Sequence, residues 1–363
     1  MSIVIPEGQI FCTFTMSIIK ISQLKDNKCN LVLYSALLFR ASVAILTRIS
    51  LIEFCYYLAR KEVIMPLLNK LIVTAFPYIP KVIVGQVAKR YIAGVALADG
   101  VRLVKKLNNK KIIATMDLLG EDVKTVAEIE EVKKGILSIL RSIKEETLVS
   151  NVSMKLTQLG LKINKDLAYS TIRMIVEGAQ NLGNFVRIDM EDATTTDDTL
   201  AVYQHLRGEG LNNTGVVIQA YLHRSEADVR ALVKSGANIR LCKGIYNESP
   251  SIAYKGRQEI RDNFLKLLRI ILENGCYVGI ATHDDYLIEG AYTLIQKLGL
   301  KKEQYEFQML LGVREKRRDQ IVQDGHRIRI YVPFGEQWYA YSSRRLQENP
   351  QMAWYITKAI FIH

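Results

Sequence analysis

Tyr277-Val-Gly-Ile-Ala-Thr-His-Asp-Asp-Tyr-Leu-Ile-Glu-Gly-Ala-Tyr-Thr-Leu-Ile-Gln-Lys-Leu-Gly299, followed closely by Tyr305-Glu-Phe-Gln-Met-Leu310, sets the pattern from which the fold is read. Tyr277–Thr282 is a short apolar strand, Tyr286–Leu298 carries a helical period, and Gly299 is the left-handed stop before the strand Tyr305–Leu310. The same rhythm runs through most of the chain. Further apolar strands are predicted at Lys111–Leu118, Asn151–Leu156, Phe185–Met190, Gly215–Tyr221, Asn238–Lys243 and Arg327–Val332. Helices are predicted at Thr125–Ile143, Leu167–Leu182, Thr199–Arg207, Ser225–Lys234, Ile252–Glu273 and Arg314–Gln323, several ending at a glycine such as Gly236, Gly275 or Gly325. Near-continuous apolar strands separated by helices make a parallel sheet covered on both faces. Eight such units predict an α/β protein of the TIM type, a closed (β/α)8 barrel. An open doubly wound sheet is the alternative, but no G-x-G-x-x-G follows the first strand.

The remainder of the chain bounds the function. A length of 363 residues can bury a large core, and the net charge of +12 invites anionic partners. The basic residues are interleaved with acids, as in Lys301-Lys302-Glu303, so no nucleic-acid partner is expected. A weak attraction to an anionic membrane surface suits the charge better. The five cysteines form no C-x-x-C pair and read as reduced thiols of a cytoplasmic protein. No His/Cys cluster has metal-ligand spacing, and no secretory signal opens the chain.

Residues 1–64 are set apart as an extension, either an amphipathic arm over the apolar stretch Leu31–Leu58 or a segment upstream of Met65 as the natural start. Residues 65–110 are expected to be N-terminal helices, Leu67–Phe76 and Lys81–Asn108, bent at Pro77 and Pro80. The barrel is placed at 111–355, with a short tail at 356–363.

In such a barrel the chemistry gathers where strands end. Those ends carry Lys155, Asp189-Met190-Glu191, Gln219, Arg240, Lys243-Gly244, Thr282-His283-Asp284, Gln308 and Tyr331. Lys155, Asp189 and Arg240 each interrupt an apolar strand, and buried ionisable groups are costly unless paired. They are therefore expected to form one network at the mouth, functional or purely structural. After the last strand, Pro333 and Gly335 are expected to break the chain. A helix from about Glu336 to Glu348 would then present Arg344 and Arg345, with Glu348 three to four residues on to hold either fork. On an arbitrary helix such a pair is a solvated surface; beside a barrel mouth it can grip an anion.

The runs Arg240-Leu-Cys-Lys-Gly-Ile-Tyr246, Ala281-Thr-His283, Arg327-Ile-Arg-Ile-Tyr-Val-Pro-Phe-Gly335 and Ser343-Arg-Arg-Leu-Gln-Glu-Asn349 resemble the proline dehydrogenases, above all the bacterial monofunctional flavoproteins. The resemblance covers roughly residues 75–355 and implies a distorted (β/α)8 barrel that binds FAD. It implies that Arg344, Arg345 and Lys155 take the carboxylate of L-proline, that Lys155 pairs with Asp189, and that Tyr331 packs on the ring and disfavours 4-hydroxyproline. Arg240 would lie near flavin N5, with Gln219 and the Met190 backbone at the ring edge. Lys243, Gly244, Ile245, Thr282 and His283 would hold the ribityl, pyrophosphate and adenosine parts. Hydride would pass from C5 to N5 at ~3–3.5 Å, giving pyrroline-5-carboxylate, and electrons would leave to a membrane quinone. The implied setting is cytoplasmic, with transient peripheral membrane contact and a pyrroline-5-carboxylate dehydrogenase downstream. Cys242, Ile245 and Asp284 depart from the usual family residues, and no motif for covalent flavin attachment is evident.

Two other functions compete. One is a Schiff-base aldolase using Lys155 or Lys243, and the other is a catalytically silent barrel that docks on membranes through residues 31–60.

Overall fold

The computed structural model describes residues 84–85, 88–120, 123–339 and 341–342. Its centre is a closed barrel of eight parallel strands in chain order. These are β1 (Ile113–Leu118), β2 (Ser150–Met154), β3 (Val186–Ile188), β4 (Thr214–Gln219), β5 (Ile239–Cys242), β6 (Val278–Ala281), β7 (Tyr305–Leu310) and β8 (Ile328–Phe334). Closure runs from β8 to β1 over Ile113↔Arg329 through Leu118↔Phe334. Around it lie α1 (Leu97–Asn108), α2 (Val126–Glu145), α3 (Lys165–Asn181), α4 (Thr196–Gly208), α5 (Ser225–Val233), α6 (Arg257–Glu273), α7 (Asp285–Lys297) and α8 (Glu315–Gln323). The (β/α)8 barrel expected from the sequence is thus the fold. No helix among the described residues is long and apolar enough to cross a membrane.

Residue alternation along the strands decides what each face becomes. Ala114, Met116, Val152, Met154, Val186, Ile188, Ile239, Leu241, Ile328 and Ile330 are buried in the main apolar cluster with the helices. The alternate positions carry Thr115, Asp117, Asn151, Ser153, Arg187, Arg240, Glu306, Gln308, Arg329 and Tyr331; hydrogen bonds link most of them across the barrel, while Asp117 takes Lys155 and Arg187 donates to the Val216 carbonyl and to Asn238. The strands look continuously apolar only where small or aliphatic residues fill the inner positions. Elsewhere the barrel holds a polar interior instead of the layers of branched aliphatics that usually fill one.

Three local expectations change. Lys81–Asn108 is not one helix: Ile92–Gly94 leave the helical path and α1 begins at Leu97. The backbone there is used by β8, since Ala93 N–H donates to Pro333 O and Gly94 O accepts from Gly335. Ile252–Glu273 likewise starts late, at Arg257, because His223 N–H donates to Ile252 O and Tyr254 N–H to Tyr221 O. Pro333 does not end β8. Its carbonyl faces Ala93 and the β7 ladder stops at Tyr331, so the missing N–H falls where no ladder bond is required. The helix after Gly335 is seen only at Trp338–Tyr339 and Tyr341–Ser342; Arg344, Arg345 and Glu348 lie outside the described residues, as do residues 1–64 and Leu67–Phe76.

Candidate active site

The strand ends open into a cavity of about 990 Å³. Lys155, Asp189, Met190, Gln219, Arg240 and Tyr331 line one part of it. Lys243, Gly244, Ile245, Thr282, His283 and Asp284 line it further along. Glu191 does not: its carboxylate accepts from Thr157 N–H and Oγ1 instead. Gln308 lines it as well.

Asp189, just beyond β3, organises the deeper part. Its Oδ1 accepts from Ser153 Oγ at 2.7 Å and from Arg240 Nη1 at 2.6 Å, while Oδ2 accepts from Tyr331 OH at 2.8 Å. The Arg240 guanidinium lies 5.4 Å from the Tyr331 ring centroid, within cation–π reach. Its Nε donates to Gln308 Oε1 at 2.6 Å, and its buried Nη2 has no hydrogen-bond partner among the described residues. A buried guanidinium N–H without an acceptor is rare. Burial holds the Tyr331 phenol well above its ordinary range, so it stays a donor.

Lys155 departs from expectation. Its Nζ pairs with Asp117 at 3.2 and 3.3 Å, and Asp189 acts on it only through its field. Asp117 sits fully buried on β1. Burial raises its carboxyl pKa and Lys155 opposes that rise. Burial also pulls the Lys155 ammonium down, but Asp117 and Asp189 outweigh it and hold it above the ordinary lysine range. A Schiff-base lysine needs a lowered pKa, and the Asp117 carboxylate on Lys155 Nζ works the other way, so the aldolase reading loses support at that residue.

At the shallower end, cations gather on one carboxylate. Asp284 caps α7 by accepting from Tyr286 N–H at 3.2 Å. Arg261 grips it at 3.0 and 2.7 Å, Lys243 reaches it at 3.4 Å, and Arg257 stands 4.0 Å away. Three cations on one anion leave a positive field beside the cavity, suited to a phosphate-bearing ligand. His283 is partly committed, since its Nε2 accepts from Leu310 N–H at 3.0 Å. Gln219 Nε2 donates to the Glu191 carbonyl at 2.8 Å.

Sequence reasoning passed over Asp117, Ser153, Arg261 and the deeper charges Arg187, Glu306 and Arg329. Asp117 carried a signal, as a lone carboxylate one residue before the end of a predicted strand. Arg261 carried none, because it reaches the mouth from α6 rather than from a strand end.

A parallel (β/α)8 barrel whose ionic groups converge at the C-terminal mouth defines the class, a barrel enzyme with its site built on the strand ends. Residues 101–356 match the family model described as proline dehydrogenase. Proline dehydrogenase 1 of Bacillus subtilis is 36% identical over 273 residues, covering 75% of this chain and 90% of the relative. The Deinococcus radiodurans proline dehydrogenase is 33% identical over 277 residues, covering 75% and 89%. Among solved structures, proline utilization A from Bdellovibrio bacteriovorus, inactivated by N-propargylglycine, superposes with a TM-score of 0.69 at 27% identity. That match covers 73% of this chain but only 33% of the larger protein. The chain belongs to the proline dehydrogenase family and is an oxidoreductase.

Proposed function

We propose that this proline dehydrogenase oxidises L-proline to pyrroline-5-carboxylate, with FAD taking a hydride from C5 and a membrane quinone taking the electrons onward. The observation that carries the reading is Arg240, which lines the cavity with two nitrogens committed and Nη2 without a partner among the described residues. Such a donor suits an electron-rich ring that gains negative charge during reaction.

The residues present fit the cofactor. The cavity volume lies at the upper end of the usual range for ligand sites, ~300–1,000 Å³. Lys243, Arg257 and Arg261 supply charge for a pyrophosphate, and Gly244 lets the loop backbone approach closely. FAD, when bound, supplies the two-electron acceptor. Lys155 offers a permanent positive charge to the substrate carboxylate, joined in this proposal by Arg344 and Arg345. Tyr331 presents its ring face to the pyrrolidine and keeps its hydroxyl on Asp189. Loss of one hydride from C5 and one proton from the amine leaves the C=N bond of the product, so the amine must be neutral when C5 reacts. Met190, Gln219, Ile245, Thr282 and His283 complete the cofactor surface. The net charge of +12 favours the encounter with an anionic membrane where the quinone resides.

The experiment is direct. The purified chain, supplied with FAD and freed of excess, should absorb near ~450 nm as bound oxidised flavin does, and bleach on anaerobic addition of L-proline. N-propargylglycine shares a carboxylate and a secondary amine with proline and should inactivate it progressively. A colourless protein that takes up no FAD refutes the proposal.

A further inference from the structure

The guanidinium of Arg240 is held from two sides, and the second side has a built-in polarity. Its Nε donates to Gln308 Oε1 at 2.6 Å, while Gln308 Nε2 donates to Glu306 Oε1, also at 2.6 Å. Glu306 is buried and clasped by Arg329 at 2.6 and 3.1 Å, so it is an ionised carboxylate that can only accept. Arg329 is anchored in turn on Ala114 O and on Asn151 Oδ1, at 2.5 and 3.1 Å. A Gln308 amide turned over would set its NH2 against the Arg240 N–H and its oxygen against the Glu306 carboxylate. Both contacts repel, so one orientation of the amide is selected.

The space for this amide is made by one residue on the intervening strand. Gly279 of β6 is the register partner of Arg240 on one side and of Glu306 on the other. A Cβ at Gly279 would lie 2.3 Å from Gln308 Nε2 and 2.8 Å from its Cδ. The amide therefore crosses from Glu306 to Arg240 through the gap the glycine leaves.

We propose that Gln308, oriented by Glu306 and admitted by Gly279, is the positioning residue that fixes the Arg240 guanidinium plane and leaves Nη2 as its uncommitted donor. This rests on the flavin reading above, in which that donor favours the reduced cofactor. Gln308 acts through Arg240 and is distinct from the groups that grip the substrate.

The test is the midpoint potential of the FAD-loaded full chain, measured against dyes, for wild type, Gln308→Met, Gly279→Ala, Arg240→Met and the Arg240→Met/Gln308→Met pair. Gln308→Met and Gly279→Ala should each weaken the preference for reduced flavin about tenfold, ~30 mV downward for a two-electron couple. The double variant should shift no further than Arg240→Met alone, because the two residues act as one unit. Should Gln308→Met fail to fold, Gly279→Ala displaces the same amide and supplies the same readout. If wild type binds flavin that proline reduces, yet both single variants keep its potential or the double shift is additive, the positioning role is refuted and the proposed function stands. A wild-type chain that binds no flavin overturns both.

Discussion

Tyr331 and Asp189 tie two strands that are not neighbours in the barrel: the phenol midway along β8 donates to Oδ2 of the carboxylate just past β3 at 2.8 Å. The other oxygen of Asp189 is already held by Ser153 and Arg240, so Tyr331 completes its set of acceptor contacts. Tyr331→Phe keeps the ring beside Arg240 and deletes only this donor. We expect a loss of about 1–2 kcal/mol in urea unfolding, because the acceptor is a buried carboxylate. Tyr331→Ser removes the ring as well and should narrow the preference for proline over 4-hydroxyproline. An unchanged ratio of kcat/KM values would show that the ring does not select the substrate.

Lys155 and Asp117 form a pair in which the lysine is the accessible member and the aspartate is sealed in. Lys155→Met removes the charge that opposes burial and should cost about 3–5 kcal/mol near neutral pH. Its pH dependence has a definite sign. The Asp117 pKa is already raised in the folded state by burial, and losing Lys155 raises it further. A carboxyl with a raised folded pKa gains stability as pH falls through that value. Lys155→Met should therefore become more stable, relative to wild type, as the pH falls from neutral toward the ordinary carboxylate range. Adding Asp117→Asn should abolish that gain, as read from urea midpoints across the range. A flat difference would mean that Asp117 is stabilised by something other than Lys155.

The barrel was legible because its signals are local: short apolar strands, helical periods and glycine stops. Gly236, Gly275, Gly299 and Gly325 all take positive φ, as their places before strands require. The mouth was legible because lysine, aspartate and arginine inside apolar strands demand an explanation. Which of them pair was not legible. Lys155 could reach a neighbour on either side, and only the register Asp117↔Ser153 between β1 and β2 sets Asp117 beside it. Arg261 and Arg329 were hidden for the same reason, since α6 and the buried depth of β8 contribute through geometry that spacing does not encode. The start of α1 was missed because Ala93 and Gly94 serve a strand distant in sequence.

Glu306 predicts a specific acid limb of stability. Burial alone would raise its pKa, but Arg329 outweighs burial and takes it from 4.5 down to about 2. A carboxylate depressed in this way contributes stability that is full above pH 4.5 and lost as pH falls toward 2. Between those limits wild type should lose about 3 kcal/mol more than Glu306→Gln, whose amide does not titrate. Parallel acid-unfolding curves for the two proteins would remove Glu306 from the account of acid stability.

Gly244 separates cofactor binding from folding. Its φ is +106°, and a Cβ there would fall 2.1 Å from the ring of the buried Tyr221. The same ring belongs to a residue whose N–H donates to Lys243 O at 2.8 Å, so the loop and β4 are tied at this point. Gly244→Ala cannot keep both the loop conformation and the Tyr221 position, because an L side chain is strained at this φ and the ring is in the way. The loop is the softer partner, being joined to the cavity rim rather than to the apolar core, so it should move. We expect FAD affinity to fall about tenfold or more, a cost of at least ~1.4 kcal/mol, while the thermal midpoint of the flavin-free chain drops by only a few degrees, ~2–4 °C. Fluorescence titration with FAD and a melt of the same sample measure both. An alanine variant that binds FAD as tightly as wild type would show that the Lys243-Gly244-Ile245 backbone does not contact the cofactor, whatever its stability.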